Sequence, residues 1–188
     1  MIARKERERR AVRRSWSRSW LVFAIACTSA WAASGRETPS GGNQIAREVQ
    51  HELVTLPFYT VFDNLTYRVD GGTVTLLGQV TRGALKTDAE NAVRGIAGVE
   101  RVINQIEVLP QSASDVRMRL AEYLALYGDA GLSQYATRAV PPIHIVVKNS
   151  NVTLEGTVDS KYDKNLAFSQ ASSVPGVVSI TNHLRVSS

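Results

Sequence analysis

Apolar positions along this chain change period repeatedly, and the changes come in two similar sets. Ile45, Val49, Leu53 and Leu56 recur at helical spacing and give one apolar stripe, which Pro57 ends. Leu65, Tyr67 and Val69 then alternate with Thr66 and Arg68, the period of a half-buried strand. Asp70-Gly71-Gly72 signals a tight turn, so the next strand returns as a hairpin with Val74, Leu76, Gly78 and Val80 on one face. From Ala84 to Ile96 the period is helical again, with Leu85, Ala89, Ala92, Val93 and Ile96 on one side. Ala97-Gly98 stops that helix, Gly98 being suited to a left-handed cap. A last strand places Val102, Asn104, Ile106 and Val108 together. The predicted order is α-β-β-α-β.

The same order then repeats. Thr73–Val80 (TVTLLGQV) returns 78 residues later as Asn151–Val158 (NVTLEGTV). At that constant offset Leu65, Tyr67 and Val69 answer to Ile143, Ile145 and Val147, Gly98 to Gly176, Asn104 to Asn182, and Val108 to Val186. An offset held over this length marks a tandem duplication. Pro110–Ser114 reads as a linker ending in the candidate N-cap Ser114. The second copy opens on the stripe Val116, Leu120, Tyr123, Leu124 and Tyr127. Aligning Ile45 with Val116 gives an offset of 71, so seven extra residues fall within 128–142. A helix over about Lys161–Val174 follows, closed by Pro175-Gly176. The fold class is α+β: two tandem domains, 44–110 and 111–188, each a three-stranded sheet with two helices on one face.

Four glycines recur as motif positions: Gly78, Gly98, Gly156 and Gly176. Gly78 and Gly156 sit on the inward strand face, where a closely packed helix backbone would exclude a side chain. Asn104 and Asn182 fall on an apolar face and require hydrogen bonds to nearby turn backbone. On the opposite sheet face the first copy carries Leu77 and Ile103 where the second has Glu155 and Thr181. That apolar face is expected to meet the other domain or a partner.

Charge changes the picture less than its total implies. The chain carries a net +5, but residues 1–32 hold eight Arg/Lys against two Glu. Residues 44–110 have six basic and eight acidic groups, and 111–188 have seven and six, so neither copy has a nucleic-acid footprint. Residues 1–32 have the order of a secretory signal: a basic stretch to Arg18, an apolar run over 20–29, and a small-residue site at Ala30-Trp31-Ala32. Arg13-Arg14 would also fit twin-arginine export, though no cofactor motif follows. Residues 33–43 then read as a flexible leader. Cys27 is removed with the signal unless it is the acylated first residue of a lipoprotein, which would anchor the chain to a membrane.

No catalytic inventory emerges. His51, His144 and His183 lie on different elements without ligand spacing and read as surface residues, so no metal, cofactor or enzyme activity is expected. The insertion in copy two offers a binding face instead. Tyr127, Leu132, Tyr135 and Arg138 combine apolar bodies, polar tips and a cation, which suits a lipid headgroup boundary. They also suit closure of the core over a longer connection.

The motifs Val152-Thr153-Leu154-Glu155-Gly156-Thr157-Val158, Val174-Pro175-Gly176-Val177 and Asn182-His183-Leu184-Arg185-Val186 resemble the BON domain. Copy one departs in having Ile96-Ala97-Gly98-Val99 without the proline. The resemblance covers about residues 44–188. It implies a non-catalytic, transport-associated module of periplasmic or envelope proteins that binds phospholipid, anionic lipid among the candidates, and serves envelope integrity or osmotic protection. The alternative it leaves open is a periplasmic module for protein interaction, scaffolding or self-association.

Overall fold

The computed structural model describes residues 41–138 and 140–187. The expected export signal, Cys27 and most of the leader lie outside those residues. The first domain comprises α1 (Gly41–Val54), β1 (Asn64–Asp70), β2 (Thr73–Val80), α2 (Gly83–Arg94), β3 (Arg101–Asn104) and β4 (Glu107–Val108). The second comprises α3 (Ala113–Tyr127), α4 (Ser133–Ala136), β5 (Ile143–Lys148), β6 (Asn151–Val158), α5 (Lys161–Ser172), β7 (Ser179–Asn182) and β8 (Arg185–Val186). Helix α1 starts at Gly41, three residues before the expected start of the first domain at residue 44. In each sheet the second strand is central, antiparallel to the first and parallel to the strand that follows the helix. The architecture is the expected α+β one, twice over.

Each final strand is interrupted, which the apolar alternation did not show. The interruption is held by the recurring asparagine. Asn104 Nδ2 donates to Lys86 O on α2 at 2.8 Å, while its Oδ1 accepts Ile106 N–H at 3.1 Å. Asn182 does the same between Lys164 O and Leu184 N–H, each at 3.0 Å. One side chain therefore satisfies the ladder amide that the break frees and ties the sheet to its helix.

The strand glycines act differently from the expectation. Gly78 and Gly156 have φ of +110° and +118°, and a Cβ on them would stand 2.0 Å from Asn64 O and 1.9 Å from Pro142 O. It is the neighbouring strand's backbone, not a helix, that excludes a side chain here. Gly98, at φ +89°, also lies beyond the helix it was expected to cap. Helix α2 ends at Arg94, and Gly98 is the third residue of a separate turn closed by Val99 N–H to Ile96 O at 3.1 Å. In copy two α5 likewise ends at Ser172, ahead of Gly176.

Helix α3 departs most from the expectation. Its N-cap is Ser112, not Ser114. Its buried side is Asp115, Met118, Arg119, Glu122, Leu126 and Tyr127, while Val116, Leu120 and Leu124 are exposed. The glycine turns give the register: Ile45 Cδ1 is the nearest atom to a Cβ on Gly98, and Met118 Cε the nearest to one on Gly176. Met118 thus replaces Ile45, Glu122 replaces Val49 and Leu126 replaces Leu53. The helical offset is 73 rather than 71, so copy two has five extra residues before its first strand. Two residues turn a helix by roughly 200°, which carries the stripe assigned to the core onto the outer surface.

Asp115 locks this rotation. Its carboxylate is buried and accepts Asn149 N–H at 3.0 Å and Ser150 N–H at 2.9 Å, the two residues that turn β5 into β6. Both have left-handed backbone, φ +51° and +61°, although neither is glycine. The buried Arg119 guanidinium, one helical turn on, donates to Val147 O at 2.9 Å. Burial pushes the Asp115 carboxyl up, but its hydrogen bonds from Ser150, Asn149 and Ser112 and the charge of Arg119 outweigh it and leave the pKa below the usual value.

A segment of the first domain plugs into the second. Asp63, fully buried, accepts from Thr60 N–H and its hydroxyl (3.0 and 2.7 Å) and from Thr81 N–H and its hydroxyl (2.6 and 2.8 Å). The loop so held gives Val61 O to Ile145 N–H at 2.7 Å and packs Val61 and Phe62 on the second core.

Two outcomes test this account by urea unfolding. Gly156→Ala, which must move a carbonyl or the backbone, is expected to cost about 2 kcal/mol or more. Asp115→Asn is expected to cost about 2 kcal/mol near neutral pH, since both turn amides lose a charged acceptor. The native carboxylate has a lowered pKa, so its contribution is present above the unfolded value of 3.8 and disappears as pH falls through the lower folded value. The Asp115→Asn protein lacks that acid-side decline.

Candidate functional site

The residues expected to meet lipid through the insertion are mostly interior. Leu132 and Tyr135 are fully buried and Tyr127 nearly so. Tyr127 hydroxyl donates to Ile143 O at 2.6 Å, and burial pushes its phenol well above the usual range. Tyr135 hydroxyl donates to Asp163 Oδ2 at 2.8 Å and accepts Asp159 N–H at 2.8 Å, with its pKa raised by burial. Arg138 lies 4.7 Å over the Tyr135 ring and pairs with Asp159 at 2.6 Å. The short helix α4 exists to insert Tyr135 under α5, so the insertion closes the core. Of the proposed contacts only Arg138 reaches solvent, and its charge is paired.

The surface that does present apolar groups is the outer side of α3. Val116, Leu120 and Leu124 are 50%, 58% and 61% exposed. They stand four residues apart and so form a single row spanning about 12 Å along the helix. Arg117 is exposed in the same two turns. In the corrected register the counterparts on α1 are Asn43, Arg47 and His51, all polar. The row is therefore peculiar to the second domain and is no requirement of the fold. These leucines were visible in the sequence, but α3 has a second apolar set in Met118, Leu126 and Tyr127, and periodicity alone could not choose between two faces.

The sheet face expected to meet the other domain or a partner leaves its apolar residues partly open. Ile103 is 39% exposed and Leu77 half-buried. Nearby, Lys148 of β5 reaches Glu107 of β4 at 2.5 Å across the domain junction.

A cleft of about 490 Å³ lies between the domains, walled by β1 and the end of α1 on one side and by Pro142, His144, Glu155 and Arg185 on the other. His144, expected on the surface, is half-buried against Tyr59 with ring centroids 5.6 Å apart. Its Nδ1 has no partner, and burial lowers its pKa. Burial also takes the Tyr59 phenol up to about 12. His183 is held by Glu155 at 2.7 Å. Among the described residues no three His, Cys, Asp or Glu side chains come together as a metal site. None of their helices is long and apolar enough to cross a membrane.

The chain is 26% identical over 184 residues to osmotically-inducible protein Y of Escherichia coli (strain K12), covering 88% of this chain and 91% of that one. Among solved structures it is similar to the C-terminal domain of CdsD, the structural protein of the type III secretion system of Chlamydia trachomatis. That match has 13% identity and a TM-score of 0.27, covering 76% of this chain and 96% of the other. A second CdsD structure matches at 14% identity and a TM-score of 0.27, over 77% and 92% of the two chains. The BON domain model matches residues 42–110 and 132–188, the two units that share the glycine turns and the asparagine-stapled strand, and the chain belongs to the BON domain family.

Proposed function

We propose that this is an exported envelope protein, without catalysis, whose second domain docks on phospholipid surfaces through the outer row of α3. One observation carries the reading: Val116, Leu120 and Leu124 are exposed where the duplicate domain has Asn43, Arg47 and His51. An amphipathic helix lying in the plane of a membrane uses such a row, with cations at its margin. Arg117 supplies one. Residues 1–32, with their basic stretch and apolar run, support export to the periplasm, and the similarity to an osmotically inducible protein supports a role under osmotic stress.

Magnitudes define the kind of docking. Burying three side chains that are already half covered yields roughly 1 kcal/mol each. One Arg near an anionic surface adds about 1 kcal/mol. The sum describes reversible, peripheral association, strengthened where several copies gather, and not permanent anchoring. Acylation of Cys27 would add a separate anchor, visible as the mass of a lipid on the mature protein.

Co-sedimentation of the exported protein with vesicles of neutral or anionic phospholipid tests the reading. Binding is expected to be greater with anionic lipid and to weaken, without vanishing, as salt rises. A Leu120→Gln, Leu124→Gln double variant is expected to bind at least tenfold less, because about 2 kcal/mol of apolar contact is gone. Its thermal midpoint should stay within a few degrees of wild type, since both side chains face solvent. Unchanged vesicle binding by that variant would remove α3 from the function. Absence of binding by the wild-type protein, with self-association lost in the variant, would assign the row to a second copy instead.

A further inference from the structure

Glu122 occupies the centre of the inward side of α3. It is fully buried, and neither carboxylate oxygen has a hydrogen-bond partner. In domain one the same place is held by Val49, equally buried, between Ile45 and Leu53; in domain two Glu122 stands between Met118 and Leu126. The fold thus needs an apolar side chain there, and this copy carries an acid. An ionised carboxylate without a partner is costly in such a place, whereas a neutral acid is tolerated.

The surrounding titratable groups make no bond to Glu122. On α3, Asp115 binds the β5–β6 turn and Tyr127 donates to Ile143 O, while Arg119, one turn before Glu122, donates from its terminal nitrogen to Val147 O and leaves its buried Nε without a partner. The charges acting on Arg119 are those of Asp115 and of Asp63, in the plugging loop. Tyr123 packs its ring on Phe62 and Tyr127. From β5, His144 faces Tyr59 and Lys148 pairs with Glu107. On α4 and α5, Tyr135 binds Asp163 and Lys164 donates to Leu184 O, while Tyr162 is exposed and Lys161 stands in the first turn of α5. None of these groups bonds to Glu122.

We propose that Glu122 is a proton-operated latch on α3: as a neutral acid it holds the helix to the second domain, and as a carboxylate it loosens that hold. The latch bears on membrane association only if the docking reading of α3 is right, but it exists or fails independently of that reading. The direction is fixed by burial, which raises the Glu122 carboxyl from 4.5 to about 7. A carboxyl whose folded pKa lies above its unfolded one gives stability that is complete below the unfolded value. That contribution declines as pH rises through the window between them and is gone above the folded value. The helix that presents the docking row is therefore firmly packed in mildly acidic surroundings and looser above neutrality. His144 acts with the opposite sign, since its folded pKa is lowered: its contribution is lost as pH falls.

The test uses the exported protein without lipid. Unfolding by urea and hydrogen exchange of the α3 amides, corrected for intrinsic rate, are followed from pH 4.5 to 8 in wild type, Glu122→Gln and Glu122→Val. Between pH 4.5 and 7.5 the ratio of the wild-type unfolding constant to that of Glu122→Gln is expected to rise by up to about two orders of magnitude. This ratio cancels His144, which both proteins share. Glu122→Val, which restores the residue of domain one, should abolish the dependence and protect α3 above pH 7. A Glu122 carboxyl carbon resonance titrating near 7 in the wild-type protein would support the latch without any variant. Parallel wild-type and Glu122→Gln curves, or a carboxyl titrating below pH 5, would overturn it. Vesicle binding that failed while the ratio rose would refute the docking reading and leave the latch standing.

Discussion

The carboxylate of Asp115 accepts the amides of both Asn149 and Ser150, and the second domain depends on that contact in two ways. It stabilises a hairpin turn whose residues hold left-handed backbone without being glycine. In the first domain Gly71-Gly72 stands at the matching place, with only Gly71 left-handed, at φ +56° and free of steric penalty, and no helix carboxylate supports it. The contact also sets the rotation of α3. With Asp115 and Arg119 turned toward the β5–β6 hairpin, the residues beside them, Val116 and Leu120, have only solvent to face. Polar anchoring thus decides which of two apolar sets becomes core.

This explains where the sequence was legible and where it was not. The duplication could be read directly because strand alternation, turn glycines and the paired asparagines are local signals that the fold needs twice. The tandem α+β architecture followed from them. Asn104 and Asn182 were correctly expected to bond to backbone, though the strand breaks they hold were hidden, because Ile106 and Leu184 continue the apolar alternation across the gap. The rotation of α3 was not legible for a physical reason. Helical periodicity marks a face by its apolar residues, and it misassigns a helix that buries an aspartate, an arginine and a glutamate. Tyr135 posed the reverse problem: an amphipathic aromatic in an insertion has the same sequence signature whether it reaches a membrane or bonds Asp163 in the interior.

The two domains have also divided their tasks. Domain one has an ordinary apolar interior on α1 and a polar outer face, and its particular contribution is the Asp63-braced loop that sends Val61 and Phe62 into its neighbour. Asp63 answers to Pro141 in copy two, so no matching plug returns. The second domain receives that apolar support and carries the departures: non-glycine residues in the turn, a buried acid on α3 and an exposed aliphatic row. The asymmetry gives a direction to the junction, with the regular domain bracing the irregular one.

Two departures on one helix call for one explanation. An exposed row of Val116, Leu120 and Leu124 contributes nothing to the fold, and Glu122 at the place of Val49 works against it near neutral pH. Polar replacements on the outside and a valine inside would satisfy the architecture, as α1 demonstrates in the same chain with Asn43, Arg47, His51 and Val49. Departures on both the outer and the inner side of one helix are the pattern of an element that must interact or move. A row that leaves water for a membrane surface has a use for its leucines. A helix that must accommodate such a surface gains from being held by a group whose charge, and therefore whose grip, changes with pH. On the proposed docking, the outward row and the inward acid are two sides of one device, built by rotating a duplicated helix through two residues.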